Sequence, residues 1–117
     1  DTYYGEWVKG VRTGLGILNT KDGDTYKGDF VDGKLHGYGE YIFADGTIYE
    51  GEFVKDEMEG EGVITYTDGE TYTGQWKMSK YNGKGKVRFP NGDLYEGEFV
   101  NGDAVGRGAY IIKGAKI

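Results

Sequence analysis

The sequence predicts an all-β fold: a single-layer, elongated antiparallel sheet of stacked β-hairpins with about ten strands. Three observations predict it. The motif Tyr-x-Gly-(Glu, Asp or Gln)-(Trp or Phe) begins at Tyr3, Tyr26, Tyr49, Tyr72 and Tyr95, a period of 23 residues without insertion. Within each copy, apolar and polar residues alternate with period two. Asp-Gly or Asn-Gly recurs where one copy gives way to the next, at Asp22-Gly23, Asp45-Gly46, Asp68-Gly69 and Asn91-Gly92. A chain that repeats this tightly is one supersecondary unit stacked on copies of itself, not a closed core around an active site.

The five repeats span 1–25, 26–48, 49–71, 72–94 and 95–117, one array that we expect to be a segment of a longer protein. Repeat two shows the unit. Tyr26, Gly28 and Phe30 alternate with Lys27 and Asp29, giving a strand with one apolar and one polar face. A loop is expected around Asp32-Gly33. Gly39, Tyr41 and Phe43 then alternate with Tyr38, Glu40 and Ile42 as the return strand. Asp45-Gly46 supplies the positive φ of a tight hairpin turn into the next copy. The other repeats run in the same order, with return strands marked by Gly14/Gly16, Gly60/Gly62, Gly83/Gly85 and Gly106/Gly108. Glycine this frequent excludes helix, since each one costs ~1 kcal/mol in a helix interior.

Gly5, Gly28, Gly51, Gly74 and Gly97 each sit between two aromatics on one face of a strand. A ring from a neighbouring strand is expected to lie over that bare backbone. The Gly-x-Gly pairs are expected to do the same on the return strand, or to permit a bend.

Composition narrows the function. Aromatics make up 15% of the 117 residues, which argues against disorder. There is no cysteine, hence no disulfide framework or thiolate metal site, which fits a reducing compartment. No apolar run approaches the ~20 residues of a membrane span. The net charge of -6 disfavours general binding to nucleic acid or anionic lipid. That charge is unevenly spread: repeat three carries -7 and repeat four +4.

Together these residues resemble the MORN repeat (membrane occupation and recognition nexus), whose pattern is close to Tyr-x-Gly-Glu-Trp-x-x-Gly-x-x-x-Gly-x-Gly-x-x-x-x-x-Asp-Gly. Repeats one and two match at nearly every marked position. Asp56 and Ser79 replace the mid-loop glycine in repeats three and four, so loops of a different shape are expected there. Lys113-Gly114-Ala115 displaces the last turn glycine by one. The resemblance implies an elongated sheet with a groove along one face. It also implies an intracellular, cytoplasmic setting: cytoskeletal, ciliary or peripheral to membranes. Family members include protein-binding and dimerising scaffolds, and arrays beside lipid-kinase or methyltransferase domains.

Three sets of residues are candidate sites. The aromatic face of the central and C-terminal repeats carries Tyr26, Phe30, Tyr49, Phe53, Tyr72, Trp76, Tyr95 and Phe99. These rings are expected to form the ladder that holds the sheet together, their exposed edges lining an apolar groove for an amphipathic helix or extended peptide. Lys84, Lys86 and Arg88 alternate along one return strand and form the candidate headgroup site for an anionic lipid. Asp56, Glu57, Glu59 and Glu61 form an acidic patch one repeat earlier. The bland expectation is that the two charged groups neutralise each other, Glu61 being the repeat equivalent of Lys84. On the polar face, Glu6, Asp29, Glu52, Gln75 and Glu98 are expected simply to keep the sheet wet.

Catalysis has little support in the sequence. His36, the only histidine, is expected in a loop. No Gly-x-Ser-x-Gly, phosphate-binding glycine loop or dinucleotide fingerprint occurs. Asp22 and Asp24 begin like a calcium loop, but Tyr26 and Asp29 do not continue it. The expected function is a non-enzymatic scaffold without cofactor or metal, capturing a partner protein segment or a second copy of itself. The alternatives are a membrane- or phosphoinositide-associating module, and a regulatory array attached to a catalytic domain.

Overall fold

A computed structural model describes residues 1–114, which form one antiparallel sheet whose ten strands lie in chain order. They are β1 (Thr2–Val8), β2 (Val11–Asn19), β3 (Thr25–Val31), β4 (Lys34–Ile42), β5 (Ile48–Val54), β6 (Glu57–Thr65), β7 (Thr71–Lys77), β8 (Lys80–Arg88), β9 (Leu94–Val100) and β10 (Asp103–Ile111). The sheet extends over 61 × 24 × 19 Å. The expected fold class is therefore observed. Ala115, at the displaced last turn, lies outside the described residues.

The two kinds of turn are the reverse of the expectation. The tight turn is the one inside each repeat. Val31 pairs with Lys34 across Asp32 (φ 52°) and Gly33 (φ 80°), two residues in the left-handed region. Positive φ at both central positions gives the primed turn whose twist matches that of its strands. Asp45-Gly46 belongs instead to a wider connection, where Phe43 N–H donates to the Thr47 carbonyl and Gly46 N–H to the Phe43 carbonyl. His36 consequently lies on β4, which starts directly after the tight turn.

Repeats three and four keep this turn despite their substitutions. Asp56 (φ 72°) and Ser79 (φ 65°) take the glycine's conformation. A left-handed non-glycine residue is strained, and a bond to the preceding repeat offsets the strain. Leu35 N–H donates to Asp56 Oδ1 at 2.8 Å, and Met58 N–H to Ser79 Oγ at 3.1 Å.

Each of the first four hairpins carries a bulge at the same place. In repeat three, Gly51 pairs with Gly62 and Phe53 with Met58, so one residue of β5 faces three of β6. The odd residue, Glu52, has a backbone carbonyl outside the ladder. The Tyr49 hydroxyl donates to it at 2.9 Å. Tyr3, Tyr26 and Tyr72 do the same to the carbonyls of Glu6, Asp29 and Gln75. To reach that carbonyl the ring must cross the backbone, which only glycine permits. A Cβ on Gly39 would lie 2.5 Å from Tyr26 Cε1, and one on Gly28 2.6 Å from the Tyr26 hydroxyl. The covering ring thus comes from the neighbouring strand for the second glycine of each Gly-x-Gly pair. For the glycine of the first strand it comes from the tyrosine two residues earlier. The first glycine of each pair makes the bend, with φ of 95° at Gly37 and 67° at Gly60.

The same bulge corrects the reading of the polar ladder. Glu52 Oε2 accepts the N–H of Glu61 at 2.8 Å, and Gln75 Oε1 accepts that of Lys84 at 2.9 Å. These side chains close the bulge from the outer face. Gln75 serves as well as Glu52 because the job needs an acceptor, not a charge.

The core is an unbroken aromatic zigzag. Tyr26 meets Phe30 of its own repeat at 5.2 Å and Phe53 of the next at 5.2 Å, both edge to face. Tyr49 meets Phe53 and Trp76, and Tyr72 meets Trp76 and Phe99, at 5.1–5.3 Å in the same geometry. Such pairs contribute about 0.5–1.5 kcal/mol each beyond their area. A single-layer sheet therefore builds a core by covering one face with its own rings.

Candidate functional site

The groove-lining residues expected from sequence are mostly the core itself. Tyr26, Tyr49 and Tyr72 are 0% exposed, Phe30 1%, Phe53 2%, and Trp76 and Phe99 5%. Tyr95 is half-buried. Trp76 is also held by its Nε1, which donates to the Gly62 carbonyl at 3.0 Å. Two of the buried rings, Phe53 and Trp76, form the floor of a cavity.

That cavity, about 640 Å³, opens over repeats two to four and reaches Gly102 of repeat five. Its apolar walls come from the return strands and the connections after them: Tyr41, Phe43, Met58, Ile64, Tyr66 and Tyr81. The repeat explains why. The return-strand positions 35, 58 and 81 hold Leu, Met and Tyr, and the connection positions 43, 66 and 89 hold Phe, Tyr and Phe. Both series flank the buried zigzag on the same face. The sequence places Tyr41 and Phe43 on a return strand, whereas the groove residues expected from it lie on the first strands. Met58 and Tyr81 were missed, because the bulge moves them into line with Phe53 and Trp76 and strict alternation does not show it.

Tyr81 lies flat on Tyr72 at 3.7 Å and shares a hydrogen bond with the Tyr66 hydroxyl. Burial pushes the phenols up: Tyr26 and Tyr72 to about 12, and Tyr49 and Tyr81 further. The rim holds Asp56 and Lys80, one from each side of the step between repeats three and four. The -7/+4 boundary thus coincides with the mouth of the cavity.

Lys84, Lys86 and Arg88 are exposed on the opposite face and share it, as expected. Their neutralisation is not the one expected. Across β9, Lys84 faces Glu98 and Lys86 faces Glu96. Lys86 Nζ lies 3.4 Å from Glu96 Oε1. The acids of repeat five, not Glu61, answer the cations of repeat four. Glu61 faces Gln75, whose neutral side chain separates the two charged groups.

The acidic residues have separate surroundings. Asp56 bonds to Leu35, Glu57 accepts from Ser79 Oγ, and Glu59 and Glu61 lie along β6 beyond the turn. Among the described residues no group of three or more His, Cys, Asp or Glu side chains is arranged to hold a metal ion. No helix among them is long and apolar enough to cross a membrane.

The MORN repeat family model matches residues 3–25, 26–48, 49–71, 72–94 and 95–113. The matched boundaries between copies are those read from the tyrosine motif. No curated protein matches the chain.

Proposed function

We propose that this chain, which belongs to the MORN repeat family, is a non-enzymatic scaffold whose return-strand cavity captures an amphipathic segment of a partner protein. The observation that supports this reading best is the cavity of about 640 Å³, walled by apolar side chains and open along its length. An apolar groove on one face of a rigid sheet suits a helix that presents anchors at i, i+3, i+4 and i+7. Phe53 and Trp76 form the floor; Met58, Tyr66 and Tyr81 contribute the accessible contact. A basic partner residue would meet Asp56, and an acidic one Lys80. Charges placed this way set register and partner choice more than affinity.

The membrane reading has less support. Two of the three cations it relies on, Lys84 and Lys86, face Glu98 and Glu96 on the adjacent strand, and an anionic headgroup would have to compete with those acids.

The test is selection of 20-residue helical segments from a display library against the wild-type chain, with re-binding to Met58→Glu and to Val63→Glu. Val63 is exposed on the outer face. The reading expects enriched segments with helical apolar spacing that lose at least tenfold in affinity for Met58→Glu and keep it for Val63→Glu. Equal binding to both variants would contradict it.

A further inference from the structure

The charges at the mouth of the cavity are ordered along its length. The cavity lies inside the array, where every strand from β4 to β8 is paired on both sides. The tight turn joining β5 to β6 holds Asp56, followed by Glu57, with Lys55 offsetting one of the two. The Asp56 carboxylate is held in place by the N–H of Leu35. The turn joining β7 to β8 is basic: Lys77 faces Lys80 across it, and no acid lies between Thr71 and Gly92. Asp56 and Lys80 are both exposed, and both line the mouth on its tight-turn side. Lys80 begins β8, two strands on from the β6 that follows Asp56, a step of about 10 Å at ~4.8 Å per strand.

We infer that the cavity takes its helical segment in one direction only, the N-terminal half over repeats two and three and the C-terminal half over repeat four. This direction rests on the reading of the cavity as a helix-binding groove, and it adds the charge pattern of the occupant. Seven residues of helix rise about 10.5 Å and return to the same side of the helix, which matches the step from Asp56 to Lys80. A segment with Lys or Arg seven positions before Asp or Glu therefore meets both charges in this direction. Reversed, it sets like charge against like, and that repulsion rejects the wrong orientation. The helix macrodipole favours the same choice. Its N-terminal end carries about half a positive charge and its C-terminal end about half a negative one, and they lie against repeats of net charge -7 and +4. The apolar contacts on Phe53, Met58 and Trp76 are non-directional and hold the segment either way round; the charges select between the two.

The chain has no cysteine, so a nitroxide on a cysteine at one end of a segment is the only spin label in the complex. Helical segments selected on the wild-type chain are labelled at either end, and broadening of backbone amide signals is mapped on the isotope-labelled chain. The N-terminal label should broaden Leu35 and Phe43, and the C-terminal label Phe89 and Gly102. Exchanging the acid of the segment for Lys should cost at least tenfold in affinity on the wild-type chain, and Lys80→Glu should restore it. Asp56→Asn keeps an acceptor for the Leu35 N–H and removes the charge, so it should weaken the preference while the turn holds. At about 1 M salt, where screening acts within ~3 Å, the preference should fade while capture persists. Segments that depend on Met58 but whose two labels broaden both ends alike, or in reversed order, would overturn the direction and leave the groove reading standing. So would a charge-exchanged segment that Lys80→Glu fails to restore. Segments indifferent to Met58→Glu would overturn both.

Discussion

The Tyr49 hydroxyl donates to the backbone carbonyl of Glu52 at 2.9 Å, closing a bulge three residues along its own strand. This one bond ties the repeat motif together. The tyrosine satisfies the carbonyl that the bulge removes from the ladder. The glycines let its ring cross the backbone, and Glu52 caps the bulge from the other face. Tyr49→Phe leaves that carbonyl unsatisfied beneath a buried ring, a defect worth about 1–3 kcal/mol. Urea unfolding should show a lowered midpoint with an unchanged slope.

The glycines should divide by what covers them. A Cβ on Gly62 would overlap the Tyr49 ring, at 2.6 Å from Cε1. One on Gly69 meets nothing within 4 Å and carries only the strain of φ 95°. Gly62→Ala should destabilise severely, by more than ~3 kcal/mol, and Gly69→Ala by about 1 kcal/mol. Thermal unfolding of the two variants side by side would show the contrast.

At the bulge cap, acceptor chemistry should matter and charge should not. Glu52→Gln should unfold within about 0.5 kcal/mol of wild type, because Gln75 already does this job one repeat later. Glu52→Ala strips the Glu61 N–H of its partner and should cost about 1 kcal/mol. Equal losses for the two variants would show that the charge carries the effect.

Alkali should unfold the sheet from within. Burial raises the phenols of Tyr26 and Tyr72 from 10.0 to about 12. Above pH 10 the unfolded chain releases these protons while the folded chain holds them, so stability falls as pH rises. Their contribution is complete below pH 10 and disappears on approach to about 12. Circular dichroism across that window should show cooperative loss of structure, with phenolate absorbance rising in the same step. Phenolate absorbance that reaches its full amplitude before any unfolding would contradict the burial argument, since the buried phenols must wait for the sheet to open.

The fold was legible because its determinants repeat: tyrosine, glycine and the following aromatic recur at fixed offsets, and so do the strands. The bulge was not legible. It shows only when the Gly51–Gly62 and Phe53–Met58 pairs are seen to enclose unequal numbers of residues. From it follow the role of Glu52, the burial of the first-strand rings and the arrival of Met58 and Tyr81 at the groove. The charge step between repeats three and four was visible in sequence, but its pairing was not. Which acids face Lys84 and Lys86 depends on strand adjacency, and β9 is nearer than β6.

The central claim is that the return-strand cavity is where a partner binds. Its most direct test is the change in backbone amide NMR shifts when a selected helical segment is titrated into the labelled chain. The account predicts shifts concentrated at Phe43, Met58, Tyr66 and Tyr81, with Lys84, Lys86 and Arg88 unmoved. Shifts centred on those three cations or on the β1 and β10 edges, with the cavity residues silent, would contradict it.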